Sequence, residues 1–448
     1  MGRSIGCIAL NTTTYSLTDL IAAEVETRGQ VNTIERIENR VVVTGELRDF
    51  HYFLTLIHTI VEKLVYQEVI LDLQKCTSAF QNAMLSVCAQ VMAYRKAGVS
   101  LDLIPPADTT LLNLFKNSNW GHYLDPRRFD PSNFRGHTKI PATQYTNPTE
   151  QQAAVNRIVN VMLGALPDLE RSDFAAFEWA VNELTDNVLV HANSPIGGLV
   201  QVSTFSKFQK RVQFVVADAG IGIPTSLRQG RFPITSDTDA LDQAIREGVT
   251  RDADVGQGNG LFGSYQICSE SRGEFLVDSG HARLSYRRSN GLSISSQNIP
   301  YKGTLIVATI DFSDPSLLAD ALKFGGQKYT PIDYVDTKYT QEMSGEIHFK
   351  LNEECTSFGS RVSGKPVRVK LMNLTRMSGT SVVRVDFDGV PLVSSSFADE
   401  AIAKLFLAMS PVAFMHRIKL SNMHNAVEGI INKAISQRLK VGTSDAEE

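Results

Sequence analysis

The stretch that most constrains this chain runs from Phe177 to Pro224 and is completed by a glycine cluster at Gly256–Gly260. From Asp173 to Ala192 the apolar residues Phe174, Phe177, Ala180, Val181, Leu184 and Val188 recur at three- and four-residue steps, which predicts an amphipathic helix. Glu183 and Asn187 are four apart and project from one face of it, about a turn apart. A carboxylate beside an amide oxygen suits a hydrated Mg²⁺, which takes oxygen ligands and keeps several waters; the same pair also fits the solvated face of a packed helix. Val212–Ala217 is a β-rich run that stops at Asp218, with Gly220 and Gly222 following. Glycines there let backbone approach a ligand closely, although a plain turn after an edge strand uses the same residues. Gly256, Gly258 and Gly260 then precede an apolar helical pattern from Leu261 through Ile267. Glycines at a helix start leave N–H groups free to hold phosphate, helped by the helix dipole.

In this order, the segments FEWAVNELTDNVLVHA, VQFVVADAGIGIP and GQGNGL resemble the three nucleotide-contacting boxes of the GHKL ATPases. That fold is shared by gyrase B, MutL, histidine kinases and anti-sigma-factor serine kinases, and the first box is worded most like the last of these. The resemblance spans residues 146–315. It implies bound ATP and Mg²⁺, with Asn187 as metal ligand and Glu183 as the base that orients or deprotonates the attacking group. It further implies that Asp218 accepts a hydrogen bond from the adenine amino group and that the glycines at 220, 222, 256, 258 and 260 border the nucleotide. Thr304, which with Gly303 opens the strand LIVATI, would contact the adenine side, and Thr225–Val255 is the right size for a lid over the phosphates.

At 448 residues the chain has room for two or three domains, and 43% hydrophobic with 21% charged residues is an ordinary globular balance. A net charge of −4 calls for neither nucleic acid nor a membrane surface as partner. Cys7, Cys76, Cys88, Cys268 and Cys355 are scattered without a C-x-x-C pair, which argues against zinc or a disulfide framework and fits a reducing cytosol. No run approaches 18 apolar residues and the N-terminus has no basic-then-apolar design, so a soluble cytoplasmic protein is expected.

Residues 1–145 read as a small α/β unit with a linker. Strands are predicted at Val41–Thr44, Val69–Leu73 and Val99–Ile104, and helices at Phe53–Tyr66 and Phe80–Lys96, which together imply a parallel βαβ unit. The order looks like a STAS-type domain, the fold of anti-anti-sigma factors. Those factors carry a phosphorylatable Ser in a D-x₈-S spacing, and counting from Asp72 that position is Gln81. Thr77 and Ser78 read as turn or cap residues. Pro105–Pro148 has little periodicity and reads as a linker, whose Arg127, Arg128 and Arg135 are either solvated or within reach of a phosphate.

Residues 316–448 form the third unit. Strands are expected at Ser344–Leu351, Pro366–Leu374, Ser381–Asp386 and Ile418–Leu420, and helices at Ser396–Met409 and Asn425–Leu439. The stretch VRVDFDGVPLVSSSFADEAIAKLF resembles a STAS-like domain family of unknown function. It puts Ser394, Ser395 and Ser396 in the region of the STAS phosphoacceptor, where a serine at a helix start is more often an N-cap.

The fold expected is therefore mixed α/β, an α+β GHKL sandwich between N- and C-terminal STAS-like domains. A histidine kinase is disfavoured, because before Gln151 the only histidines near the ATPase unit are His122 and His137 in Pro-rich sequence. His191 reads as a packing or capping residue. Two functions follow from the resemblance. One is a serine/threonine kinase or signalling switch of the anti-sigma type; the other is an ATPase whose turnover drives a shape change or dimerisation. An unidentified protein partner is expected, with homodimerisation as an option, and in the second case the flanking domains would be interaction surfaces of a signalling or defence assembly.

Overall fold

The computed structural model describes residues 32–132, 139–205, 210–230, 233–249, 258–314, 323–324, 327–328, 333–340 and 345–444. The fold is mixed α/β. Its N-terminal sheet has the order β1-β2-β3-β4, formed by Thr33–Ile37, Arg40–Leu47, Glu68–Ala79 and Ser100–Ile104. The last three strands are parallel, as the βαβ pattern predicts, and β1 adds an antiparallel edge through a tight turn. The sequence reading missed β1 because its Glu35 and Arg36 interrupt any apolar alternation on an exposed edge. β3 is longer than its apolar core suggests: pairing with β2 continues to Leu47↔Ala79, so Thr77 and Ser78 lie inside the strand and not in a turn.

The central sheet is antiparallel with the order β5-β6-β7-β9-β8, formed by Lys139–Tyr145, Gly198–Phe205, Arg211–Asp218, Gly291–Asp311 and Glu274–Arg287. The expected linker Pro105–Pro148 is in fact structured, with helices at Thr109–Asn117 and Trp120–Leu124 followed by β5. Pro141 hid the strand. It is tolerated because β5 is an edge strand whose register slips between Ile140 and Thr143, so the missing N–H breaks no regular ladder. Arg127 pairs with Asp102 and Arg128 reaches the Leu103 carbonyl, so both belong to the N-terminal unit; Arg135 lies outside the described residues.

Both faces of this sheet are covered. Along β7, Val212, Phe214 and Val216 point into a core shared with the helices Pro148–Ala165, Arg171–Asn187 and Gly260–Glu270. Val215 and Ala217 point the other way, against the N-terminal unit and its Gln81–Lys96 helix. That two-sided burial is why β7 reads as a continuous apolar run instead of an alternating one. The Phe177 and Phe214 rings meet edge-on at 5.8 Å, a geometry that contributes about 0.5–1.5 kcal/mol beyond area burial. Polar groups set the register of the N-terminal unit on the sheet: Gln81 donates to the Gln201 carbonyl at 2.9 Å and accepts from Ser203, and the Trp120 indole donates to Gln201 Oε1 at 2.9 Å.

The C-terminal unit is a three-stranded parallel sheet of Ile347–Lys350, Val383–Asp386 and Ile418–Ser421, closed by the helix Asn425–Ser444. Pro366–Leu374 is not a strand. It lies within the helix Arg361–Met377, capped by Ser360, whose buried residues Val367, Lys370, Leu371 and Leu374 keep helical spacing. The period-two look of PVRVKL misled, and Pro366 lies inside the helix, where it removes one backbone bond, that to Val362. This helix docks on Pro148–Ala165 through the buried Asn373, whose Nδ2 donates to the Leu163 and Leu166 carbonyls at 2.9 and 2.8 Å. Those are carbonyls that a helix C-terminus leaves open. Ser394 caps the next helix, its Oγ accepting from Phe397 N at 3.0 Å. No helix among the described residues is long and apolar enough to cross a membrane.

Candidate functional site

A cavity of about 450 Å³ opens between the Arg171–Asn187 helix, the central sheet and the start of the Gly260–Glu270 helix. That volume suits a small organic ligand. Trp179, Glu183 and Asn187 line it from successive turns of one helix face. Beyond Asn187 the helix loosens into a π-turn, Val188–Ala192, a deviation that recurs at functional sites. His191 lies in that turn and lines the cavity, so it does more than pack against its own helix. Glu183 is half-buried; burial, reinforced by the neighbouring Asp186 carboxylate, raises its pKa above the ordinary carboxylate value.

Asp218 forms the floor where β7 ends, and is 1% exposed. Burial pushes its carboxyl up to about 7, against hydrogen bonds from the Gly220 and Thr304 backbone that favour the charge; the Gly220 bond is 2.7 Å. The Gly220 turn is pinned by Ile221 N donating to the Ala192 carbonyl at 2.8 Å. Gly222 has φ of +76°, and a Cβ there would fall 2.7 Å from Ser279 Oγ, so a side chain at this position is doubly excluded. Ser279 is fully buried. It accepts from Ile223 N at 2.9 Å, donates to the Gly303 carbonyl at 2.8 Å and lies 3.2 Å from Thr304 Oγ1.

Gly260 joins the start of the Gly260–Glu270 helix to the Arg171–Asn187 helix. A Cβ on it would lie 2.6 Å from Glu183 Oε2 and 3.2 Å from Asn187 Nδ2. Gly258 also lines the cavity, and Asn259 next to it accepts from Gly248 N at 3.2 Å. Of the residues singled out from the sequence, Glu183, Asn187, Asp218, Gly222, Gly258, Gly260 and Thr304 all line this one cavity, with Gly220 hydrogen-bonded to Asp218 beneath it. Gly256 lies outside the described residues. The described part of Thr225–Val255 contributes Ser226, Leu227, Ala244 and Val249 to the wall. Trp179 and Asn259 were missed, because nothing local in the sequence marks a tryptophan or asparagine as facing a cavity built from distant segments; Ser279, fully buried and bonded to Gly303, was missed for the same reason.

The lining is acidic. Glu183, Asp186 and Asp218 face the cavity, and among the described lining residues there is no Lys or Arg. An anionic ligand would thus meet backbone N–H groups and would need a cation to offset these carboxylates. No group of three or more His, Cys, Asp or Glu suited to a metal occurs among the described residues. A hydrated Mg²⁺ fits this donor set, since it can take one amide oxygen from Asn187 and fill its shell with water and ligand oxygens.

Comparison with known proteins reaches only part of the chain. Residues 363–428 match a family described as a STAS-like domain of unknown function (DUF4325), which covers the Arg361–Met377 helix through the start of the closing helix. Among solved structures, the histidine kinase domain from Erythrobacter litoralis EL346 blue-light activated histidine kinase is similar at 16% identity, over 38% of this chain and 65% of that one, with a TM-score of 0.18. This chain therefore spans less than two thirds of that domain. No curated protein matches.

Proposed function

We propose that the cavity is a Mg²⁺·ATP site of the GHKL type, and that the protein is a nucleotide-controlled regulator transferring phosphate to a protein hydroxyl, as anti-sigma-factor serine kinases do. The observation that carries this reading is convergence. Three sequence segments meet at one cavity, with Gly260 against Glu183 and Asn187 and with Asp218 and Thr304 on the same floor. In this reading Asp218 accepts from the adenine amino group and Thr304 backs it. The backbone at Gly220, Gly222, Gly258 and Gly260 borders the phosphates. Asn187 offers its amide oxygen to the metal, and Mg²⁺ when bound supplies charge neutralisation on the phosphates. Glu183 takes the proton from the attacking hydroxyl, whose oxygen bonds to the γ-phosphorus as the bond to the bridging oxygen breaks and ADP leaves.

A second reading, ATP hydrolysis that drives a shape change or dimerisation, is favoured by one specific observation. The acceptor position of the N-terminal unit is a glutamine, Gln81, bonded to the Gln201 carbonyl, and in the C-terminal unit Ser394 caps a helix, which leaves the exposed Ser395 and Ser396 as the remaining hydroxyls of that region. In that case Glu183 activates water and the flanking units act as interaction surfaces.

The test is to incubate the full chain with γ-labelled ATP and Mg²⁺ and follow both free phosphate and label retained on protein. Retained label supports the kinase, and free phosphate alone supports the ATPase. Asn187→Ala is expected to abolish the Mg²⁺-dependent part of ATP affinity; wild-type protein without Mg²⁺-dependent ATP binding would end both readings. Gly260→Ala is expected to displace the Glu183 carboxylate and lower turnover about 10- to 100-fold. Full turnover in that variant would separate the glycine from the base.

A further inference from the structure

The part of β9 that floors the cavity is held from behind by the N-terminal unit. The β8–β9 register slips between Ser279↔Thr304 and Gly280↔Tyr301, which leaves Lys302 and Gly303 as a bulge. Bulges bend strands and recur beside functional sites. One side of the bulge touches the cavity floor: at φ of +90° Gly303 lies so close to Asp218 that a Cβ would be 2.7 Å from its Oδ1. The other side is gripped. Gln90, 5% exposed on the Gln81–Lys96 helix, donates Nε2 to the Lys302 carbonyl at 2.6 Å. The Lys302 ammonium pairs with Glu62 and lies 5.8 Å from the centre of the Tyr94 ring. Tyr94, one turn beyond Gln90, donates to the same Glu62 at 3.3 Å.

We propose that Gln90 is a positioning residue of the nucleotide site, supplied by the N-terminal unit and acting through the Lys302–Gly303 bulge on Asp218 and Thr304. The identity of the ligand rests on the ATP reading above; the mechanical linkage does not. The Gln90–Lys302 bond is part-buried, so loss of the Gln90 amide leaves the Lys302 carbonyl to take a new partner and frees the bulge to re-seat. Gly303 cannot move without disturbing the carboxylate it touches. Gln81 on the same helix supplies a control, because it also donates to a sheet carbonyl, that of Gln201, which is not among the residues lining the cavity.

The experiment compares Gln90→Leu with Gln81→Leu in the full chain. Two quantities are read: equilibrium affinity for Mg²⁺·ADP against Mg²⁺·GDP, and amide hydrogen exchange at Gly220–Ile223 and Gly303–Leu305 without nucleotide. Gln90→Leu is expected to weaken ADP binding about tenfold, to narrow the preference for ADP, and to speed exchange in both segments. Gln81→Leu is expected to lower the melting temperature comparably while leaving all three unchanged. Equal effects of the two substitutions on exchange, or no effect of Gln90→Leu, would overturn the proposal. If wild-type protein binds no ADP but the exchange difference persists, the ATP reading falls and the linkage stands. Should Gln90→Leu fail to fold, Glu62→Gln at the half-exposed end of the same grip is expected to shift exchange at Gly303–Leu305 in the same direction, and an unchanged rate there would refute the linkage.

Discussion

Asp218→Asn is expected to make the nucleotide-free protein more stable above neutral pH and to weaken its grip on adenine. The carboxyl is buried, and its pKa is raised to about 7 from an ordinary value of 3.8. A raised acid favours the folded state fully below the unfolded pKa, and that contribution disappears as pH rises from about 4 through about 7. At pH 8 the protein therefore carries the whole penalty of a buried charge, on the order of 2–4 kcal/mol. Asparagine carries no charge at any of these pH values, and its oxygen can still accept from Gly220 and Thr304. The variant should melt higher than wild type at pH 8, and the gap should close toward pH 5. Asp173 and Glu178 are also raised to about 7 by burial, so both proteins lose stability as pH rises; only the difference between them reports Asp218. Binding should move the other way. The ionised carboxylate is the better acceptor for the adenine amino group, so wild-type affinity should climb with pH through about 7, while the variant binds about 10- to 100-fold more weakly with a flatter profile. A variant less stable than wild type at pH 8, or one with an unchanged preference for ADP over GDP, would remove Asp218 from this role.

The second large effect concerns Glu183. Glu183→Ala should keep Mg²⁺·ATP binding within about threefold and lower turnover by about 10²- to 10⁴-fold, the range for a positioned general base. The base works ionised, so the wild-type rate should rise with pH along a limb displaced above the ordinary carboxylate range by burial and by Asp186. Removing that neighbouring charge in Asp186→Asn should lower the pKa of Glu183 and move the limb to lower pH. Pre-steady-state phosphate release across pH 5–9 reads both effects. Loss of binding in Glu183→Ala would mean that the carboxylate holds the site together and does not act as its base.

Much of the secondary structure was legible because its signals are local. Phe174 to Val188 keep helical spacing and bury that face. Val212–Ala217 forms its strand, and Ser394 caps the helix it precedes. Reading failed where a local signal was overruled from a distance. Pro141 sits in a strand because that strand is an edge with a register slip. Val367 and Leu371 look like strand residues, yet the helix they form is selected by packing against Pro148–Ala165 and by Asn373 satisfying its open carbonyls.

The candidate site divides the same way. Glu183 and Asn187 share a face because they are four residues apart on a helix, which backbone geometry alone dictates. That Asp218 is buried deeply enough to hold its proton near pH 7 depends on strands and helices closing over it. That Gly260 abuts Glu183 is a contact between segments far apart in the chain. The grip of Gln90 on Lys302 spans 212 residues. Helical period, strand composition and capping are properties of neighbouring residues and are written in the chain. The cavity, its acidity and its tie to the N-terminal unit arise from long-range packing, where many sequences share the same local pattern and only the folded arrangement decides which side chains meet.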